Sequence, residues 1–311
     1  MNQPVIVVEG LRKVYGDVVA VAGLDFEVEA GTILGLLGPN GAGKTTTIEI
    51  LTTLRRADAG RATIAGFDVG RQPELVRRVI GLAGQAAAVD DRLTARENLD
   101  LFARLYKLPA PERRARVDEL IERFDLGGFA DRLVATYSGG QRRRLDVVAA
   151  LIARPPAIFL DEPTTGLDPR SRLDLWREIR AMADEGAAVV LTTQYLEEAD
   201  RLADDIVIID RGEVVARGAA EELKKDLGRD VLVVHVSDPA DLPRAAELAG
   251  DGADVATDAG HRMLTVQLGD GPPEALAVLR RLSDAGIPVE DFQLRRPTLD
   301  DVFLTHTEVR R

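Results

Sequence analysis

The stretch that most narrows what this chain can become is TILGLLGPNGAGKTTTIEIL, Thr32 to Leu51. An apolar run enters a glycine-rich turn and leaves it as a helix-forming segment, which reads as a buried strand feeding a helix. Within it, Gly38 to Thr45 satisfies G-x-x-x-x-G-K-[ST] in the strand-to-helix setting that this motif requires. Glycines let successive backbone N–H groups face one concavity, and the helix N-terminus adds partial positive charge, so the loop can wrap phosphates. The candidate nucleotide-binding run is therefore Gly38, Pro39, Asn40, Gly41, Ala42, Gly43, Lys44, Thr45 and Thr46. Lys44 is expected to reach the β- and γ-phosphates, and the Thr45 hydroxyl to ligate Mg²⁺, a hard ion that prefers oxygen.

Around this unit the pattern changes twice. Residues 1 to about 90 read as short strands and turns. Residues 91–153 read as helical: Thr94 and Glu97 spell a capping box ahead of NLDLFARLYK, and Pro111 opens an amphipathic segment. From Pro156 onward strands and helices alternate through AIFL, RSRLDLWREIRAMADEG, AAVVLTT, YLEEADRLA and DIVIID, which predicts a parallel α/β sheet. The polar stretch Glu222 to Asp230 marks a boundary, giving one domain over 1–228 and a second over 229–311. The second spells β-α-β-β-α-β, a small α+β domain of ferredoxin-like order.

Two further segments carry chemistry. AIFLDEP, Ala157 to Pro163, ends a strand in two carboxylates at the sheet edge where α/β proteins bind ligands. Neighbouring strand residues face opposite ways, so Asp161 is assigned to Mg²⁺ and Glu162 to the attacking water. In YSGGQRRRLDVVAALIA, Ser138 is a good N-cap and Gly139 and Gly140 open a long helix, a second anion-binding helix terminus. The arginines Arg142 to Arg144 that follow read as a solvated helix face.

The phosphate loop, YSGGQ and IFLDEPTTGLDP, in this order, resemble an ABC-type ATP-binding cassette over about residues 4–218. The resemblance implies a P-loop NTPase fold with a RecA-like core and a helical subdomain at about 91–153, followed by the C-terminal accessory domain. It implies ATP and Mg²⁺ as cofactors, and a homodimer in which the phosphate loop and the Ser138, Gly139, Gly140, Gln141 segment sit on opposite subunits around each ATP. By the same resemblance Tyr15 stacks on adenine, Gln85 contacts Mg²⁺ or the water and senses the transport subunits, and Asp168 touches the opposite subunit. Asp168 also reads, independently, as a helix N-cap before Pro169.

One position departs from the family pattern: after AAVVLTT the family carries a switch histidine, and this chain has Gln194. Its histidines, His235, His261 and His306, all lie in the C-terminal region. LTTQYLEEAD and LRRPTLDDVFL are similar to the daunorubicin/doxorubicin-resistance ATP-binding branch, whose members power export through a separately encoded permease. The tail 297–304 reads as a capped amphipathic turn with Thr298 as N-cap and Leu299, Val302 and Phe303 on one face.

Composition bounds the alternatives. The longest unbroken apolar run near a motif, Val147 to Ala153, falls far short of the roughly 18–20 residues a spanning helix needs, so the chain is not expected to cross a bilayer alone, and the resemblance implies an integral-membrane permease on a separate chain. A peripheral position at the cytoplasmic face of the membrane follows from that partnership, and the absence of cysteine is compatible with a reducing compartment. A net charge of −12 argues against nucleic acid as a partner. A soluble ABC ATPase acting on ribosomes or DNA and a non-hydrolysing ATP-binding regulator remain the alternative readings. The first normally carries two cassettes or a coiled-coil insertion, absent here, and the second is disfavoured by Glu162.

Overall fold

The computed structural model describes residues 4–85, 88–226, 230–249, 255–269, 271–296 and 298–308. Backbone contacts divide the chain into two compact units, Met1–Ala220 and Glu221–Arg311. The boundary expected at 228/229 and Pro297 of the tail motif lie outside the described residues, as do the side chains of Leu304 and His306.

In chain order the first unit carries β1 (Ile6–Tyr15), β2 (Val18–Val28), β3 (Ile33–Leu37), α1 (Lys44–Leu51), β4 (Ala59–Ile64), β5 (Phe67–Asp68), α2 (Pro73–Val76) and β6 (Ile80–Ala83). There follow α3 (Ala95–Leu105), α4 (Ala110–Arg123), α5 (Gly139–Ala150), β7 (Ala157–Asp161), α6 (Pro169–Asp184), β8 (Ala188–Thr193), α7 (Leu196–Leu202), β9 (Asp205–Asp210) and β10 (Glu213–Gly218). A six-stranded sheet runs β10-β9-β3-β8-β7-β6, and β2-β1-β4-β5 form a separate antiparallel sheet. The predicted parallel order holds from β9 to β6. Strand β10 is the exception, pairing antiparallel with β9. Arg211 and Gly212 both adopt positive φ (49° and 82°) between these strands, the backbone a two-residue hairpin with matching twist demands.

Strand alternation decides which face each residue packs on. Ile158, Leu160, Val189 and Leu191 join a core with the helical segment, including Leu99, Val117, Leu120, Phe124 and Leu145. Ala157, Phe159, Ala188 and Val190 point the other way, into a core shared with β1, β2 and α1 through Ile6, Leu24, Phe26 and Ile48. The main sheet is thus covered on both faces, as a parallel sheet requires. The predicted capping box closes α3: Thr94 Oγ1 accepts from Glu97 N at 3.2 Å and Glu97 Oε2 accepts from Thr94 N at 2.8 Å. The far end of α5 is fastened by the buried Arg116, which donates to the carbonyls of Leu151 and Ile152.

Helix α8 (Ala220–Asp226) spans the division between units. The second unit then carries β11 (Asp230–Val236), α9 (Leu242–Ala249), β12 (Val255–Asp258), β13 (Met263–Leu268), α10 (Pro272–Asp284), β14 (Val289–Arg295) and α11 (Leu299–Glu308). Its sheet runs β12-β13-β11-β14 with every neighbour antiparallel, which is the ferredoxin-like arrangement of a β-α-β-β-α-β chain. Alternate residues of β11 and β13 (Leu232, Val234, Leu264, Val266) pack with Leu242, Val278 and Leu282 of its helices. Thr298 caps α11, its hydroxyl accepting from Asp301 N at 3.3 Å while Asp301 Oδ2 accepts from Thr298 N at 2.9 Å. Leu299 and Val302 are buried.

Candidate functional site

Strand β8 lies between β3 and β7, and this order builds the site. The phosphate loop leaves β3, the acid pair ends β7, and Gln194 follows β8 between them. The loop's course depends on glycine. A Cβ on Gly38 would stand 2.2 Å from the Ile209 carbonyl oxygen, and one on Gly43, which has φ 107°, would stand 2.1 Å from that of Ala20. Lys44 opens α1 and is 6% exposed; its ammonium donates to Gly38 O at 2.7 Å and Pro39 O at 3.1 Å. Burial lowers its pKa, opposed by the nearby carboxylates of Glu162 and Asp161. A buried cation curled over its own loop is positioned to transfer to a phosphate that takes the place of those carbonyls.

Thr45, Gln85 and Asp161 meet at this edge. Gln85 Nε2 donates to Thr45 Oγ1 at 3.1 Å, and Thr45 Oγ1 stands 3.5 Å from Asp161 Oδ1. The sequence reading missed the residue that holds this corner, Thr192. Buried on β8 and in register with Asp161, it donates its hydroxyl to Asp161 Oδ1, while its own Oγ1 accepts from Glu162 N at 3.1 Å. Glu162 N is also 3.1 Å from Thr192 O. Glu162 itself has φ 51°, a left-handed conformation costing a non-glycine residue about 1–3 kcal/mol, which persists only where surrounding contacts over-determine it. Thr165 Oγ1 completes the restraint by donating to Glu162 Oε2 at 3.2 Å.

The arginine run corrects another expectation. Arg143 does not lie on a solvated face; it is 8% exposed, and its guanidinium donates to Pro163 O at 3.1 Å, Asp161 O at 2.5 Å and Gly84 O. Asp146, one helical turn on and 2% exposed, accepts from Ala88 N at 2.7 Å and stands 3.4 Å from Arg143. Burial depresses the Arg143 pKa and raises that of Asp146, each opposed by the charge of the other. Arg142 instead pairs with Asp91 at 2.9 Å.

The remaining candidates stand apart from this corner. Ser138 is the N-cap of α5, its hydroxyl accepting from Gln141 N at 3.2 Å while Gln141 Oε1 accepts from Ser138 N at 3.1 Å. Gly139 and Gly140 form the first turn, and among the described residues no hydrogen bond joins this segment to the phosphate loop. Asp168 caps α6, accepting from Arg170 N at 3.1 Å and Ser171 N at 3.0 Å; the Ser171 hydroxyl leads the hydrogen bonds that lower its pKa. Tyr15 ends β1 and is 39% exposed, and the Lys13 and Arg55 cations lie 5.4 and 5.6 Å from its ring centroid. Gln194 is exposed. His235 and His261 have hydrogen-bond partners within the second unit, His261 O and Asp258.

A phosphate loop on β3, a carboxylate pair on β7 and a capped glycine helix start define a P-loop ATPase of the cassette class. Comparison with known proteins extends this. Residues 21–165 match the ABC transporter family and 218–307 match the C-terminal domain of DrrA1-3-like ATP-binding proteins. The chain is 50% identical over 305 residues to the daunorubicin resistance ATP-binding protein DrrA3 of Streptomyces coeruleorubidus, covering 98% of this chain and 96% of that one. It is 38% identical over 308 residues to the Nod factor export ATP-binding protein I of Ralstonia nicotianae, covering 98% and 94%. A solved dimeric ATP-binding cassette in a post-hydrolysis state, bound to ADP and Pi, superposes with a TM-score of 0.64 at 26% identity, covering 69% of this chain and 98% of that one. The chain belongs to the ATP-binding subunits of ABC transporters, in the daunorubicin/doxorubicin-resistance branch. It is therefore an ATP-binding, ATP-hydrolysing protein.

Proposed function

We propose that this chain powers efflux of a drug-like or other hydrophobic compound through an integral-membrane permease on a separate chain, working as a homodimer with two ATPs between phosphate loops and opposed Ser138–Gln141 segments. The observation that carries the hydrolytic part is the restrained, left-handed Glu162 beside Asp161, Thr45 and Lys44. The export direction is supported by the likeness to the Nod factor export ATP-binding protein of Ralstonia nicotianae, and the drug-like cargo by the likeness to the daunorubicin resistance protein. Among the described residues no helix is long and apolar enough to cross a membrane, in keeping with a subunit held peripherally at the cytoplasmic face by its permease. Residues 1–228 are taken as the ATP-binding domain, with 91–153 as helical subdomain, and 229–311 as the accessory domain. Nucleic acid is not a partner in this reading, given the net charge of −12.

In this arrangement Lys44 and the loop N–H groups hold the phosphates, Tyr15 stacks on adenine, and Glu162 polarises the attacking water. Asp168 faces the partner subunit, while Gln85 reports on the permease and, with Gln194, helps to orient the γ-phosphate and the water. The Mg²⁺ assignment fits the donors present: the Thr45 hydroxyl and an Asp161 carboxylate oxygen are hard oxygens at one corner, and Gln85, whose Nε2 donates to Thr45 Oγ1, would offer its amide oxygen once the amide turns over. Mg²⁺ supplies charge neutralisation on the phosphate oxygens. The test is Glu162→Gln in the chain with its permease: ATP binding and a stabilised dimer are expected, with turnover lowered about 10²- to 10⁴-fold. Near-normal phosphate release overturns the assignment.

A further inference from the structure

Helix α5 begins at the Ser138 cap and carries, five residues further on, the guanidinium that touches both sides of Glu162. Arg143 donates to the carbonyl of Asp161, which precedes Glu162, and to that of Pro163, which follows it. It also donates to Gly84 O, immediately before Gln85. On the same helix, Asp146 accepts from Ala88 N, on the far side of Gln85. Glu162 and Gln85 are thus bracketed by backbone bonds to one pair of buried side chains, and the pair is rigidly joined to the SGGQ end of the helix. A guanidinium is suited to this because its planar fork offers five donors in fixed directions, whereas an ammonium presents a single point. Buried charged groups persist when every hydrogen-bonding position is used, and these two are nine-tenths buried or more.

We propose that Arg143 and Asp146 are positioning residues that couple α5, the helix Ser138 caps, to the hydrolytic site of the same chain, fixing Glu162 and Gln85 in register with Ser138. This rests on the roles given above to Glu162, Gln85 and Ser138. In the shared-site dimer its consequence is specific. Ser138 of one chain contacts the ATP held by its partner, while Arg143 sets the geometry of Glu162, which serves the ATP held by its own chain. Engagement at one ATP therefore orders the base for the other, and the two sites hydrolyse cooperatively through α5. The Lys44 loop is not among the groups Arg143 holds, so nucleotide binding is separable from this effect.

The experiment measures nucleotide affinity, kcat, KM and the Hill coefficient for the full-length chain assembled with its permease, with thermal melting as a check on folding. Arg143→Lys keeps the charge and loses the fork: kcat is expected to fall by up to about 10²-fold, the loss a displacement near 1 Å produces, with ATP affinity retained and the Hill coefficient moving toward one. Asp146→Asn retains an acceptor for Ala88 N and should turn over nearly as the parent does; Asp146→Ala, which removes it, should lose kcat with KM retained. The proposal is overturned if Arg143→Lys and Asp146→Ala keep parental kcat. It is equally overturned if Asp146→Asn is as damaged as Asp146→Ala, or if lost activity merely follows lost ATP binding or folded fraction. Glu162→Gln run alongside separates the two levels: a fully active Glu162→Gln removes the underlying reading of the base, whereas an inactive Glu162→Gln beside a fully active Arg143→Lys removes the coupling alone.

Discussion

Glu198 offers a stability test of the switch region. It lies on α7, inaccessible to solvent, with Oε1 accepting from Trp176 Nε1 at 2.8 Å and Oε2 meeting no hydrogen-bond partner among the described residues. The buried Thr164 hydroxyl likewise meets no partner in hydrogen-bonding geometry among the described residues, though it stands close enough to lower the carboxyl's pKa. Burial pushes the Glu198 pKa up, against the opposing pull of Thr193, Trp176, Thr164 and the Arg172 charge. Glu198→Gln keeps a carbonyl for Trp176 and puts a donor amide where Oε2 now stands, within reach of Thr164 after a small adjustment. Relief of one unsatisfied buried acceptor is worth about 1–3 kcal/mol, and each kcal/mol moves the melting temperature of a unit this size by about 2–4 °C. The pH dependence has a definite sign. Below the carboxyl's unfolded pKa both proteins are neutral at this position and the gap is smallest. As pH rises through the raised folded pKa the parent loses stability and the glutamine variant does not, so the gap must open. Thermal melts at several pH values between 5 and 8 measure it. A variant less stable than the parent at pH 8, or a gap that does not change with pH, refutes the reasoning.

Two further outcomes follow from the site. Gln194→Ala should slow permease-coupled turnover by roughly 10²–10³ if its amide donates to developing charge as an oxyanion-hole group does, and Gln194→His should add a limb near neutral pH to the kcat profile that the parent lacks. Parental turnover in Gln194→Ala shows that the position carries no function. Mixing a Ser138→Arg chain with a Lys44→Ala chain leaves one composite site intact per heterodimer, so purified heterodimers should retain partial activity where both mutant homodimers are inactive; complete loss argues against the shared-site geometry, provided one intact site can turn over.

The parts of this fold that were legible are those whose instructions are local. The Thr94–Glu97 box, the Ser138 cap with its two glycines, the Asp168–Pro169 helix start and the apolar runs of β3, β7 and β8 each announce an element within a few residues, and each element is found there. The β-α-β-β-α-β order of the second unit was visible for the same reason, its helices and strands having distinct periodicities. The antiparallel β10 escaped because an alternating α/β pattern says nothing about a last strand that turns back on its neighbour. Arg211–Gly212 did carry the signal, although Asn-Gly or Asp-Gly would have been louder.

What sequence could not supply was the second layer of the site, because register between distant strands creates it. Thr192 reads as one more β-branched strand residue until β7 and β8 pair with Asp161 opposite it, and only then do its hydroxyl and carbonyl become the groups that seat Asp161 and Glu162. Arg143 is harder still: within QRRRL nothing distinguishes it from Arg142 or Arg144 except the helix face it occupies. That face becomes a buried polar seam because the ends of β6 and β7 place three carbonyls there together. A motif therefore predicts the groups that touch phosphate, which must sit on a few consecutive residues. The groups that hold those in place are drawn from strand ends far apart in sequence, and their chemistry is invisible until the sheet order is known.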